Sequence, residues 1–90
     1  MSKKEEFEAR LLLAGFHTSM SGMYWRYIDD SPDGIGQINV VVNRDHTIVR
    51  HRPPYHLTFL KGKRYLTYWG AFRRILKLME TTHEYDQRNN

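Results

Sequence analysis

Cysteine is absent from the 90-residue chain, and that absence removes disulfides, thiolate zinc sites, iron–sulfur clusters and cysteine nucleophiles together. The fold must hold by packing alone. Long apolar runs are missing as well. The longest lie at residues 11–14 and 40–42, far short of the roughly 20 residues that a membrane-spanning helix needs. Behind the opening Met-Ser-Lys-Lys-Glu-Glu there is no apolar stretch of the kind a secretory signal carries. The expectation is a cytoplasmic protein with no membrane partner. No internal repeat or low-complexity segment interrupts the chain.

What is present is globular in composition: 40% apolar, 13% aromatic and 27% charged residues. A chain of this length is one domain, and it buries only about 60–65% of its unfolded surface, which leaves a single core with little margin. The net charge of +4 conceals an asymmetry. Residues 44–77 hold nine basic side chains against Asp45 alone, a net +8, and the remainder of the chain is −4. A segment so charged attracts phosphates or acidic partners.

Local patterns divide the chain into elements. Ser2 and Glu5 have the spacing of a capping box, and Phe7, Leu11 and Ala14 recur at helical period up to Gly15, which predicts a helix over 3–14. From residue 23 the period shortens to two. Met23, Trp25 and Tyr27 alternate with Tyr24, Arg26 and Ile28 in a first strand, and Asp29-Asp30-Ser31-Pro32-Asp33-Gly34 supplies a turn. Residues 37–43 and 47–52 are further strands, and Pro53-Pro54 ends the meander because neither proline donates to a ladder. Residues 55–67 read as a small hairpin or a long basic loop, with the hairpin favoured. Tyr68, Phe72, Ile75, Leu76 and Met79 mark one face of a helix over 68–83 with Thr67 as its N-cap, and residues 85–90 form a polar tail expected to fray.

The order α-β-β-β-(ββ)-α predicts an α+β two-layer sandwich over residues 1–84, with an antiparallel sheet of three to five strands and both helices on one face. Its expected core is Phe7, Leu11, Ile38, Val40, Val42, Phe72, Ile75, Leu76 and Met79. The other sheet face is left to solvent. If Met23, Trp25 and Tyr27 share the buried side with Ile38, Val40 and Val42, that open face carries Tyr24, Arg26, Gln37, Asn39, Ile48, Arg50 and Arg52. Arginines beside a tyrosine suit single-stranded nucleic acid, with guanidinium groups on phosphates and rings on bases. Lys61, Lys63 and Arg64 in the basic loop, and Arg73, Arg74 and Lys77 on the last helix, extend the expected binding surface, and Tyr55 is a further stacking candidate.

The sequence carries no complete catalytic or metal-binding constellation. His46, His51 and His56 recur at intervals of five, an odd number that turns neighbours to opposite faces of a strand, and no thiolate completes a zinc site. The Asp29, Ser31 and Asp33 series with Gly34 opens like a calcium loop, but its twelfth position is Val40 instead of glutamate. Gly34-Ile35-Gly36 has Asn39 where a dinucleotide fingerprint needs glycine. No phosphate-binding loop or nucleophile elbow occurs. The expectation is a protein that is not an enzyme and needs no cofactor.

Leu11-Leu12-Leu13-Ala14-Gly15-Phe16, followed by a strand opening at Gly22, resembles the start of the small HicA-type toxins, which are RNA-cleaving domains of the double-stranded-RNA-binding fold. The resemblance covers about the first quarter of the chain and implies a similar α-β-β-β-α order. The histidine that those toxins carry after the first-strand glycine is replaced by Met23 and Tyr24, so the resemblance implies the fold without the cleavage chemistry.

Two functions follow. The first is a small non-enzymatic nucleic-acid-binding accessory domain, with single strands or RNA favoured because no helix-turn-helix or zinc finger is present. The alternative is a protein-binding inhibitor or adaptor, of the kind phages and mobile elements use, docking on an acidic protein through exposed aromatics and arginines. In both, Tyr68 and Trp69 are expected to lie half-buried against the core.

Overall fold

A computed structural model describes residues 1–20, 22–28 and 36–89, with side chains up to residue 79. The aspartate-rich turn at 29–34, expected to bind no calcium, lies outside the described residues. Along the chain run α1 (Lys3–Leu13), β1 (His17–Met20), β2 (Met23–Tyr27), β3 (Gln37–Val42), β4 (Thr47–Arg52), β5 (Lys63–Tyr65) and α2 (Tyr68–Asn89). Each strand pairs antiparallel with the next, in the spatial order β1-β2-β3-β4-β5. This is the expected α+β two-layer sandwich, with both helices against one face of the sheet.

The start of α1 is fixed by its own residues. Ser2 Oγ accepts from the Glu5 amide at 3.1 Å while Glu5 Oε1 accepts from the Ser2 amide at 3.4 Å, so two otherwise unpaired donors are satisfied reciprocally. The end is equally defined. Gly15 takes φ +92°, and its amide bonds Leu12 O at 3.1 Å while Phe16 N bonds Leu11 O at 3.0 Å, the paired bonds that close a helix on a left-handed glycine. The chain leaves that turn directly into β1. A four-residue strand without alternating burial has no periodic signature, which is why the pattern reading begins its first strand only at residue 23.

Beyond Pro53-Pro54 the expected hairpin is replaced by a long connector and the single short strand β5. The connector folds back onto β4 through Leu60 N to His51 O at 2.9 Å. Its turn is closed by His56 N on Pro53 O at 3.1 Å, and Tyr55 occupies the third position at φ +67°, a conformation few bulky residues adopt.

The core gathers Phe7 and Leu11 from α1, Phe16, Tyr24 and Ile28, then Ile38, Val40, Val42 and Val49 from the sheet, and Ala71, Ile75 and Leu78 from α2. Phe7 stacks on Tyr68 at 5.1 Å between ring centres. Phe72 and Met79 pack half-buried at the margin. Leu76, expected in the core, is 44% exposed. The buried stripe of α2 is centred on Ala71, Ile75 and Leu78, rotated from the run of bulky residues. Trp69 is likewise displaced outward, at 61% exposed. Thr67 caps α2 as expected, with Oγ1 accepting from Gly70 N at 3.0 Å. The helix itself runs on to Asn89, past the expected end at 83 and through most of the segment expected to fray.

Candidate nucleic-acid interface

The face of the sheet away from the helices is set by the β2 register. Tyr24 pairs with Val40 and Arg26 with Ile38, so both side chains project among the core residues on the helix side. The expected assignment is inverted on this strand: Tyr24 and Arg26 are inside, and Met23, Trp25 and Tyr27 are outside. The physical reason lies in what the two inner residues can do with their polar ends. Tyr24 buries its ring and donates its hydroxyl to Glu8 on α1. Its phenol is pushed up to about 12, first by burial and then by the Glu8 carboxylate. Arg26 lies half-buried and donates to Ala14 O at the end of α1, where a cation also suits the helix dipole. Neither residue is available to a ligand on the open face.

The outer residues fall into cross-strand rows. His17 pairs with Trp25, Trp25 with Asn39 and Asn39 with Arg50. The next row runs Tyr27, Gln37, Arg52, and on the other side Met23, Val41, Ile48 and Arg64 align. Every row therefore begins with an aromatic or apolar side chain on β1–β2 and ends with an arginine on β4–β5. Opposed residues in a row have Cβ atoms about 4.5–5.5 Å apart, and successive rows on one face are about 6.8 Å apart. The rings form one group: His17 lies 4.7 Å from Trp25, and Trp25 meets Tyr27 edge-on at 5.4 Å. Tyr27 is 47% exposed. A shallow depression of about 240 Å³ opens between Trp25, Asn39 and Arg50, with Met23, Gln37 and Val41 on its walls.

Arg50 holds its place through a missing side chain. Gly62 lies beside β4 such that a Cβ there would meet Arg50 Cγ at 2.6 Å and Ile48 Cγ2 at 2.8 Å. The glycine thus leaves room for the Arg50 stem. Arg52 donates to His56 O at 3.2 Å, tying the connector turn to the end of the second row.

Of the ten expected site residues, the structure brings Arg50, Arg52 and Arg64 together on the open face. Lys61 is exposed in the connector just before β5. Lys63 pairs with Val49 and so has the inward parity at the sheet edge. Arg73, Arg74 and Lys77 belong to α2, in the layer on the opposite side of the sheet. Burial, and after it the electrostatic influence of nearby Arg74 and His56, hold the inward-facing His51 below the usual imidazole value. The aromatic residues of the open face that sequence reasoning placed on the wrong side are Trp25 and Tyr27, and it assigned no role in the site to His17, an exposed residue of β1. The signal for the first two was the pairing of aromatics on both parities of β2, which is ambiguous until the strand register is known.

Among the described residues no group of three or more histidine or acidic side chains is placed to hold a metal ion. Among them also, no helix is long and apolar enough to cross a membrane. Compared with known proteins, the chain matches no family, no curated protein and no solved structure.

Proposed function

We propose that the open sheet face binds single-stranded nucleic acid. The observation that carries this reading is the grading of the face, with rings on the β1–β2 side and an arginine at the far end of each row. A single strand offers the same two chemistries side by side, π-faces that stack on aromatic side chains and phosphates that pair with guanidinium groups. Arg50, Arg52 and Arg64 form a track along β4–β5 for the backbone, and the bases turn across the sheet onto Trp25, Tyr27 and His17. A duplex hides its base faces and gains little from such a platform, so the reading favours single strands over double strands.

Titration of the protein with labelled single-stranded RNA, single-stranded DNA and duplex at about 50 and 200 mM salt tests it. Single strands are expected to bind more tightly than duplex, with affinity falling as salt rises. Trp25→Ala should cost on the order of 1–3 kcal/mol with the salt dependence kept. Arg50→Ala should weaken all sequences and lower the log–log slope by about 0.7. Absence of binding at the lower salt overturns the reading. If Trp25→Ala then abolishes capture of an acidic protein, the same face serves the adaptor function.

A further inference from the structure

Between the aromatic and arginine ends of the two longest polar rows stands a side-chain amide, Asn39 in the row of Trp25 and Arg50, and Gln37 in the row of Tyr27 and Arg52. Both are half-buried, and neither amide is engaged in a side-chain hydrogen bond among the described residues. They differ in this from Asn43, whose Nδ2 donates to His46 Nε2 at 3.1 Å in the β3–β4 turn and leaves His46 Nδ1 to donate to Asp45. An amide at the centre of a sheet face with both donor and acceptor unused is poised for a ligand, because it presents a donor and an acceptor side by side in one plane.

Resting on the proposed single-strand binding, we infer that Asn39 and Gln37 read base edges and that the face selects adenine at two consecutive nucleotides, one per row. The same unit is repeated: a ring that stacks, an amide beside it, and an arginine beyond. A base lying on Trp25 brings its edge over β3, where Asn39 is the direct cross-strand neighbour of the ring. Arg50 follows on the next strand at the position of the phosphate. Moving two residues along each strand repeats the arrangement with Tyr27, Gln37 and Arg52. An amide makes two hydrogen bonds to the adjacent acceptor and donor of adenine, on either N7 and N6 or N1 and N6. An exposed pyrimidine edge offers comparable pairs. Adenine is selected because its second ring carries such an edge from Trp25 across to β3 while keeping the larger stacking face on the indole. The third row has Val41 in the amide position and reads no edge.

Selection is separable from binding by experiment. Fluorescence anisotropy of the full chain with labelled homopolymers of about eight nucleotides, of A, C and U as RNA and of A, C and T as DNA, covers the face with one base type. The A oligomers are expected to bind about fivefold or more tightly than the pyrimidine ones in both sugar series, since the face assigns no group to the 2′-hydroxyl. Asn39→Ala should level most of that preference while changing pyrimidine affinity less than about twofold, and Gln37→Ala should level part of it. Circular dichroism identifies a variant that has lost its fold, and because the two amides lie in separate rows either variant suffices. Equal affinity for all homopolymers, a preference for another base, or an adenine preference that survives both substitutions overturns the inference and leaves single-strand binding standing. Failure to bind any homopolymer at about 50 mM salt removes the underlying reading instead.

Discussion

Tyr24 and Trp25 are neighbours in sequence with opposite tasks. Tyr24 belongs to the core and reaches Glu8 through its hydroxyl, so Tyr24→Ala should destabilise the fold, by roughly 3–5 kcal/mol for loss of a buried ring. Trp25 is half-buried on the open face against His17 and Tyr27, so Trp25→Ala should cost less stability than Tyr24→Ala and act chiefly on ligand affinity. Urea unfolding of both variants alongside the binding titration distinguishes the two roles. The phenol also sets an alkaline limit. Its value in the fold is raised to about 12, so its contribution is whole below the ordinary tyrosine value of about 10 and is lost as pH rises through 12. His51 acts at the other end of the scale. Its folded value is lowered, chiefly by burial and then by Arg74 and His56. The unfolded chain therefore binds the proton more readily, and stability present above about pH 6.5 is lost as pH falls through the folded value. Thermal unfolding between pH 8 and 5 should show a loss for the native chain that His51→Gln reduces. An unchanged pH profile in His51→Gln would show that another group carries the acid sensitivity.

At the scale of elements, α2 and the β4–β5 edge make separate demands. Ile75 is fully buried and Leu76 is 44% exposed, so Ile75→Ala should cost roughly 2–5 kcal/mol and Leu76→Ala less than about 1 kcal/mol. Chemical denaturation of the pair decides which residues define the buried stripe of the helix; equal losses would place the stripe where the bulky-residue pattern puts it. At the sheet edge, Gly62→Ala introduces a Cβ that Arg50 and Ile48 already crowd. Either those side chains shift or β5 moves away from β4. The Arg50 track is disturbed in both cases, and nucleic-acid affinity should fall even though no charge is removed. A variant that binds as the native chain does would show that the Arg50 stem has another place to lie.

The whole molecule divides its positive charge between two layers. Arg50, Arg52 and Arg64 end the rows on the open face, and Arg73, Arg74 and Lys77 stand on α2 behind the sheet. Three contacts to a single strand give a log–log salt slope of about −2. Removing Arg73 and Lys77 together should leave that slope unchanged, although the variant loses as much charge as one lacking Arg50 and Arg64, whose slope should approach −0.7. Equal effects from the two pairs would mean that the ligand responds to net charge and has no particular face.

By itself the sequence determined the presence and starting points of both helices, the class of the fold and the overall asymmetry of charge, because each is written in local period and composition. Ser2 and Glu5 cap α1 through bonds that span three residues, and Ile38, Val40 and Val42 alternate regardless of what lies beside them. Only the tertiary structure decided which side of β2 faces the helices. Both parities of that strand carry rings, and the choice rests on partners distant in sequence: Glu8 accepts the Tyr24 hydroxyl, and the end of α1 accepts Arg26. Those two bonds make a tyrosine and an arginine acceptable inside, and the pleat then carries Trp25 and Tyr27 to the open face beside Asn39, Gln37 and the arginines of β4. A period of two tells which residues travel together, and the face they travel to is settled by what the other layer offers their polar ends.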